Sequence, residues 1–369
     1  MLRPVDKEQR DALGAQTGSR SVAPLDDYLG ITGLPFKLSP RAMLEVAYWA
    51  QNQSSFERAS TVLSEKMGME VNNDTVRLVA NYIGNKVFVE DCARADEAMR
   101  MLDKDELDFT RNNPGVLYIE TDGAALNTRT KDENGSSWRE NKLGEIFSSD
   151  NIRHWTDKKG NSQHRIMKKE YISYVGSSEQ FKKHLFACAL RNGYGKYSQT
   201  VILSDGAAWI RNIKEELFPE AQQILDYYHL CENVNEYAKH LFKMDEDKYK
   251  PWARDVCEAL KAGEYERVLR GLDSTGCKTT CDCPVNLYGY IQNNVANIDY
   301  PTYIAKGYFI GSGSIESGNK LVLQQRLKQS GMRWNVECAQ PILSLRAKYE
   351  SNLWNSDVVP LVLSLTSAA

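Results

Sequence analysis

Residues 201–229 read VILSDGAAWIRNIKEELFPEAQQILDYYH, in which two short apolar runs end at aspartates, Asp205 and Asp226. The segment AAWIRNIKEELF between them predicts a helix, so the order is strand, helix, strand. This order is typical of a sheet with helices packed on it. In such sheets functional groups gather where strands end and helices begin. The stretch therefore points to a site near both aspartates.

Three more strands are predicted upstream of this stretch. GVLYIETDGAAL (115–126) predicts a strand that ends at Asp122-Gly123. NKLGEIFSS and KKEYISYVGS predict two more strands, joined by a polar, basic connection. SSEQFKKHLFACALRNG predicts a helix with Ser178 as its cap and Gly193 as its stop. The fold class is thus α/β, with a mixed sheet as its core.

Helices are predicted both before and after this core along the chain. Ser39 is a candidate N-cap with Pro40 at the first helical position. A helical hairpin follows at 54–84, broken at Gly68, and it is either a helix-turn-helix that binds DNA or a plain hairpin. The predicted regions are a loosely ordered segment at 1–38, the helical region at 39–110, the core at 111–243, a helical insertion at 244–308 and C-terminal core helices at 309–369.

Composition limits the possible settings. The chain has 369 residues, a formal net charge of −3 and eight cysteines. It has no apolar run near the roughly 18 residues that a membrane helix needs, and its N-terminus lacks the apolar core of a secretory signal. These features predict a protein of the cytoplasm without membrane contact. Any contact with nucleic acid must come from local basic patches.

Three carboxylates have the pattern of a metal site. Asp122 and Asp205 follow strands, and Glu316 lies in the first turn of a helix after GSGS. Converging acids without histidine or cysteine partners would suit Mg²⁺ or Mn²⁺. Two such ions about 4 Å apart can act on a phosphodiester. Alternatively, Asp122-Gly123 and Asp205-Gly206 are simple turns.

The segments YIETDGAALNTR, VILSDGAAWIRNI, ILDYYH and GSGSIESGNKLVLQQRLKQSGMRW together resemble bacterial insertion-sequence DDE transposases, nearest to the Mutator-like, Kra-type group. The resemblance runs from about Leu25 to Trp354. It implies a ribonuclease-H-like core with a helical insertion before the last acid. Residue by residue, Asp122, Asp205 and Glu316 match the three catalytic acids. Asp226 and His229 match an Asp-x-x-His signature of the family.

The resemblance also implies an activity and partners. The activity is that of a nuclease and strand transferase acting at insertion-sequence ends, with two Mg²⁺ (or Mn²⁺) ions as cofactors. Double-stranded DNA would be bound both as terminal inverted repeats and as target. A homodimer or higher multimer on DNA, associated with the bacterial nucleoid, is expected. Alternatives are a transposase-derived DNA-binding protein with lost or repurposed catalysis, and a purely structural domain.

Asp226 and His229 have two possible roles. They either orient a ligand, a water or a DNA phosphate from behind the metal ligands, or form a buried cap-and-histidine pair that only fixes the junction of strand and helix. In WRENKLGEIF, Glu140 and Lys142 either face the site from the side or form an exposed ion pair.

Several further residues are candidates for contact with DNA. Basic side chains can follow phosphates, and an indole can stack on an unpaired base, although charge runs are often only solvated and tryptophans are often core. The candidates are Thr75, Arg77, Lys158, Lys159, Lys168, Lys169, Lys320, Arg326, Lys328, Arg333 and Trp334. Cys277, Cys281 and Cys283 raise the question of zinc, but no fourth ligand is evident nearby.

Overall fold

The computed structural model describes residues 2–4, 19–21, 28, 31, 34–274 and 283–366. Much of the predicted segment 1–38 lies outside these residues. Within it, β1 (Leu2–Pro4) and β2 (Ser19–Ser21) pair antiparallel. No helix in the described part of the chain is both long and apolar enough to cross a membrane.

Three helices form the N-terminal region, as predicted. They are α1 (Pro40–Asn52), α2 (Phe56–Met67) and α3 (Asn73–Asp103). The side chain of Ser39 accepts the backbone N–H of Ala42, which confirms it as the N-cap of α1. Gly68 ends α2 with a left-handed φ of 64°, a conformation that glycine adopts without steric cost.

The second helix of the hairpin is much longer than predicted. It spans 31 residues and buries apolar side chains from Val76 to Ala98. At Gly84 it lies against another helix so closely that a Cβ would come within 2.4 Å of the Pro341 carbonyl oxygen. This close packing fixes α3 against the C-terminal helix, while other side chains along α3, such as Val89 at 64% exposure, remain open to solvent.

The core is the mixed sheet that the sequence predicts. Its strands lie in the order β7-β4-β3-β8-β9. β3 pairs antiparallel with β4 and parallel with β8, β4 pairs antiparallel with β7, and β8 pairs parallel with β9. The bounds are β3 (Asn113–Asn127), β4 (Trp138–Ser148), β7 (Glu170–Val175), β8 (Tyr197–Ser204) and β9 (Gln222–Leu225).

Three details differ from the predictions. β3 does not end at Asp122-Gly123 but continues to Asn127, paired with β4 throughout, so these two residues do not form a turn. The basic connection after β4 is itself an antiparallel hairpin of β5 (Ile152–Thr156) and β6 (Ser162–Ile166). The cap of the helix after β7 is Ser177 instead of Ser178.

The remaining helices follow the predicted order. Helices of the core are α4 (Ser178–Arg191), α5 (Ala208–Leu217) and α6 (Tyr227–Leu241). The insertion contains α7 (Glu246–Lys261), α8 (Tyr265–Ser274), α9 (Leu287–Asn293) and α10 (Tyr300–Ala305). The C-terminal part has α11 (Gly313–Asn319), extended by a π-helical turn Lys320–Gln324 and by Gln325–Leu327, then α12 (Val336–Glu350), a second π-helical turn Trp354–Val358 and α13 (Val359–Leu363).

The two faces of the sheet are covered differently. Leu117, Ile119 and Ile202 face α4 and α5 in one apolar cluster. On the opposite face, Tyr118 packs with the insertion, whereas Leu126 packs with the N-terminal and C-terminal helices. Side chains between these last two positions on β3, which include Glu120 and Asp122, therefore lie where two apolar clusters meet.

Candidate active site

Asp122 lies on β3, and Asp205 comes directly after the neighbouring strand β8. Parallel pairing of β3 with β8 runs as far as Glu120 opposite Leu203, and each aspartate lies two residues further along. Because side chains alternate along a strand, Asp122 shares the face of Glu120, while Asp205 follows the last residue of β8. Burial and the nearby charge of Asp205 both raise the pKa of the Asp122 carboxyl.

Two N–H donors hold the side chain of Asp122. Its Oδ1 accepts the backbone N–H of Gly123 at 2.7 Å, and its Oδ2 accepts the side-chain amide of Asn319 at 2.7 Å. Asn319 is buried and ends α11, three residues after Glu316. The helix of the third acid is therefore fastened directly to the first acid.

The turn after β8 sets the position of Asp205. Its Oδ1 accepts the backbone N–H of Ala207 at 2.9 Å, and Gly206 has a left-handed φ of 85°. The hydroxyl of Tyr290, from the insertion, donates to the carbonyl oxygen of Asp205 at 2.6 Å. Asp205-Gly206 thus forms the turn that the alternative interpretation foresaw, while the charge of Asp205 still acts on Asp122.

Glu316 lies in the first turn of α11, and its side chain is exposed. Desolvation and the charges of Asp226, Glu232 and Asp122 raise the pKa of its carboxyl. A Cβ added at Gly318 would come within 2.5 Å of the Tyr171 ring, so α11 lies close against the sheet. This packing brings Glu316 into the electrostatic field of Asp122.

The oxygen donors fit a hard divalent cation in their chemistry, because Mg²⁺ and Mn²⁺ prefer carboxylates. Nevertheless, among the described residues no group of three or more His, Cys, Asp or Glu side chains is arranged to hold a metal ion. The charge of Asp205 acts on Asp122, and the charge of Asp122 acts on Glu316, so the three acids share one region of the protein. Shared ligation by all three acids therefore remains a prediction.

Asp226 ties the strand-helix junction to the loop before α11. Its Oδ1 accepts the backbone N–H groups of Tyr228 at 2.6 Å and His229 at 3.2 Å, which caps α6. Its Oδ2 accepts the backbone N–H of Ser312 at 3.0 Å and also the Ser312 hydroxyl. The capping role is therefore present, together with a link to the loop that leads to Glu316.

His229 faces the candidate acids and is half-exposed. Burial raises the pKa of both Asp122 and Glu316, and His229 slightly opposes the rise in each, so the imidazole lies near both acids. One ring nitrogen, Nδ1, lies 3.5 Å from a carboxylate oxygen of Glu232. The side chain of His229 is 43% exposed, so it is not buried in the core.

A buried polar network beneath α11 was missed from the sequence. Glu120 and Glu145 face each other across β3 and β4, and both are buried. Glu120 accepts the backbone N–H of Ile315 at 2.9 Å, while Glu145 accepts the Ser314 hydroxyl. Lys169 donates to Ser314 at 2.9 Å and lies 3.1 Å from Glu145. This network fixes the start of the helix that carries Glu316.

Burial raises the pKa of the Glu120 carboxyl well above its usual range, and the charge of Glu145 adds to this. Desolvation also raises the pKa of Glu145, although the ammonium group of Lys169 opposes the shift. A signal for this pair was available in the sequence. Glu120 shares the period-two face of Asp122 in YIETD, where an apolar residue would be expected in a buried strand.

Three residues predicted to contact DNA have other partners in the structure. Lys169 is occupied by Glu145, as described above. Arg326 is buried and donates to the carbonyl oxygens of Ala50 at 3.0 Å and Ser54 at 3.3 Å. Trp334 is 6% exposed, and its indole N–H donates to the Leu327 carbonyl oxygen at 3.1 Å. These three side chains therefore have partners within the protein, Trp334 lies in the core as in the alternative interpretation, and contact with DNA stays a prediction.

The other candidates for contact with DNA lie on the surface. Thr75 and Arg77 are half-exposed in the first turns of α3, while Lys158, Lys159, Lys168, Lys320, Lys328 and Arg333 are exposed. Arg77 and Arg333 line a cleft of about 530 Å³ together with Arg129. The cleft lies between the helical hairpin and the loop before α12, so it joins two of the predicted basic regions.

The last two predicted features are resolved only in part. Lys142 pairs with Glu140 and donates to the Gly176 carbonyl oxygen at 3.1 Å. Lys142 is buried at 4% exposure, so the expected exposed ion pair is only half exposed. Cys277 and Cys281 lie outside the described residues, and the question of zinc stays where the sequence left it.

A mixed five-stranded sheet with helices on both faces defines an α/β protein. Residues 15–280 match the model of an uncharacterised protein family, UPF0236, and the chain belongs to that family. Asp122, Asp205 and Asp226 lie inside the matched residues and Glu316 outside them. No curated protein matches the chain.

Proposed function

We propose that this protein is a DDE-type transposase that cuts and joins DNA at the ends of an insertion sequence. The observation that carries the proposal is that Asp122 on β3 lies close enough to Asp205, directly after the parallel strand β8, to feel its charge, while Asn319 fastens the helix of Glu316 to Asp122. Functional groups of α/β sheets gather where parallel strands end. Three acids around that point fit the chemistry of phosphodiester cleavage.

Each side chain has a distinct part in this proposal. Asp122, Asp205 and Glu316 would hold two Mg²⁺ (or Mn²⁺) ions, which when bound activate a water or hydroxyl and neutralise the leaving oxygen. Asn319 keeps one oxygen of Asp122 in a fixed direction. Asp226, through Ser312, and Glu120, through Ile315, hold the start of the Glu316 helix in place. The half-exposed imidazole of His229 would reach a phosphate beside the acids.

The expected substrate is double-stranded DNA, namely the inverted repeats of the element and its target. Two ends must be cut in concert, so we expect a homodimer or higher multimer on DNA, most simply with two-fold symmetry. The place of action would be the nucleoid in the bacterial cytoplasm. Mass photometry on paired ends gives the number of chains, and a strict monomer would contradict this part of the proposal.

A cleavage assay tests the chemistry. Labelled duplexes covering the DNA on either side of the gene are incubated with the protein and Mg²⁺. Asp122→Asn, Asp205→Asn and Glu316→Gln should each remove cleavage while leaving DNA binding and the fold intact, since tenfold in rate corresponds to only about 1.4 kcal/mol of barrier. Asp247→Asn and Glu337→Gln, at exposed helix starts, serve as matched controls.

The same assay separates the alternatives. A folded protein that binds the duplex but never cuts it would be a DNA-binding descendant of a transposase. A protein that neither binds nor cuts would have a structural role. If one of the three acid variants cuts at the wild-type rate, that acid is not a ligand and the site must be reassigned.

A further inference from the structure

We infer that the β5–β6 hairpin is a DNA-binding ribbon whose outer face enters a groove of the double helix. This inference rests on the proposed function in one respect, because it takes DNA as the partner. The hairpin pairs only with itself and forms a two-stranded sheet separate from the main sheet. A free two-stranded ribbon is marginally stable alone, so its anchoring and its outer face both need an explanation.

The inner face of the ribbon is anchored to the protein. Ile152 and Ile166 pack against the apolar cluster of the insertion. His164, opposite His154 in the register, stacks on the ring of Phe309 with 4.7 Å between centroids. Phe309 belongs to the segment that leads to α11, so the ribbon is seated beside the chain that carries the third acid.

The outer face carries cations that pair with no acid in the part of the chain that the structure describes. Side chains alternate along a strand, so Arg153 and Trp155 point away from the anchored face, as do their register partners Arg165 and Gln163. All four are exposed, Trp155 at 44%. Arg153 lies directly opposite Arg165, and like charges in such cross-strand pairs are destabilising.

Among the described residues, Lys142 and Lys169 on either side of the ribbon form ion pairs, but no cation between them does. The one acid between Ile152 and Lys168 is Asp157, which closes the turn by accepting the backbone N–H groups of Lys159 at 2.8 Å and Asn161 at 2.9 Å. An external polyanion would supply the missing negative charge.

Duplex DNA fits this face better than other anions. Paired strands lie about 4.8 Å apart, so a two-stranded ribbon fits the major groove, which is about 12 Å wide. Lys158, Lys159 and Lys168 extend the positive charge beyond the two arginines, toward the phosphates that border a groove. A single-stranded partner would need a series of aromatic side chains for stacking, whereas this face carries only Trp155.

The test measures how DNA affinity depends on salt. A fluorescein-labelled duplex of about 30 base pairs, roughly three helical turns, is titrated by anisotropy at several KCl concentrations without divalent metal. The double variant Arg153→Ala with Arg165→Ala should flatten the plot of log affinity against log salt by about 2, because each phosphate contact contributes about 0.9. A matched control, Lys248→Ala with Lys250→Ala, removes two cations already paired with Asp245 and Glu246 and should leave the slope unchanged.

A second variant guards against misfolding. Arg165→Glu places an opposite charge across from Arg153, so it should keep or raise the melting temperature while weakening duplex binding more than the alanine variant does. A wild-type slope in both ribbon variants overturns the inference, as does a ribbon-dependent affinity for phosphatidylserine vesicles but not for duplex. If ribbon-dependent binding is found without Mg²⁺-dependent cleavage, the inference stands and the proposed catalysis fails. If cleavage is found with unaltered slopes, the proposed function stands and the ribbon is not its DNA contact.

Discussion

Asn319 donates its side-chain amide to Oδ2 of Asp122 at 2.7 Å and so connects the last turn of α11 to the middle of β3. The two residues are separated by 197 positions in the chain, and the insertion lies between them. This hydrogen bond is the direct contact through which the helix of Glu316 is aligned with the first acid. It also lowers the pKa of Asp122, opposing the effects of burial and of Asp205.

Removing this amide should impair catalysis without impairing DNA binding. In Asn319→Leu the side chain of Asp122 loses one donor, so its orientation and its ionisation both suffer. We expect the cleavage rate to fall by about 10–100-fold, the range seen when partners of metal ligands are removed. Duplex affinity, measured by anisotropy without metal, should stay within experimental error of the wild type.

A charged replacement separates positioning from simple damage. Asn319→Asp keeps the shape but places a second carboxylate beside Asp122, which should raise the pKa of Asp122 further. Since Asp122 must be ionised to bind a cation, the acid limb of the pH–rate profile should move to higher pH. A profile that keeps its wild-type shape would show that Asn319 does not act through Asp122.

Asp226 and Ser312 should be energetically coupled. Asp226 is 1% exposed, and Asn at this position would turn an N–H₂ group toward the N–H of Ser312. Leaving buried donors unpaired costs about 1–3 kcal/mol. Asp226→Asn, Ser312→Ala and the double variant, compared by urea unfolding, should give a coupling energy of about 0.5–3 kcal/mol. Strict additivity would mean that the link between the two residues does not contribute to stability.

The sequence predicts the strands of the sheet and the acids at their ends better than it predicts how far a strand extends or which charged side chains are buried. Asp205 and Asp226 were found because apolar runs stop at them, and the structure places both at strand ends. The continuation of β3 beyond Asp122 was missed, because it depends on pairing with Trp138–Lys142 of another strand and not on local composition. Pairing of this kind has no signature in a single run of residues.

The sequence also does not predict which charged side chains are buried, for a similar reason. Arg326 counted as one of several cations in a basic stretch, yet its guanidinium lies 4.5 Å from the ring centroid of Phe56 and 5.0 Å from that of Trp334. Phe56 comes from the N-terminal hairpin, far away in sequence. Charge counting cannot detect such a contact, because the aromatic rings that enclose the cation are brought there only by folding.

Glu120 should make the stability of the protein depend on pH. Its pKa is raised in the folded state, so the folded protein binds a proton that the unfolded chain releases. The free energy of unfolding should therefore increase as pH falls from above the folded pKa toward the unfolded value, about 4.3. Glu120→Gln keeps an acceptor for the N–H of Ile315 without the charge, and it should flatten this part of the curve.

The measurement is urea unfolding across a range of pH, with wild type and variant compared at each value. Glu57→Gln, at an exposed site in the first turn of α2, is a matched control and should follow the wild-type curve. A constant difference between Glu120→Gln and wild type at every pH would mean that Glu120 does not titrate between the two states. In that case another group would compensate the charge of the buried Glu120 carboxylate.

Replacing Arg77 and replacing Arg326 should have opposite effects. The first should weaken DNA binding with little loss of stability, and the second should lower stability without weakening DNA binding. Arg77 is 39% exposed, lies at the start of α3 beside the cleft, and pairs only with the exposed Asp74 at 3.3 Å. An exposed pair of this kind contributes about 0.3–0.5 kcal/mol, so Arg77→Glu should change stability little. If the first turn of α3 docks on DNA, the reversed charge should weaken duplex binding and flatten its salt dependence.

Burial and the neighbouring Arg346 lower the pKa of Arg326 to about 10, yet its guanidinium donates to two backbone carbonyls and lies over two aromatic rings. Arg326→Met should lower the free energy of unfolding by about 2–4 kcal/mol, because these carbonyls lose their donors. Below its melting temperature this variant should bind duplex as tightly as the wild type. The Arg77→Glu and Arg326→Met variants are each compared with the wild type by urea unfolding and by anisotropy at low salt. Unchanged affinity in Arg77→Glu would make the hairpin purely structural, and weakened affinity in folded Arg326→Met would mean that the cation reaches DNA despite its burial.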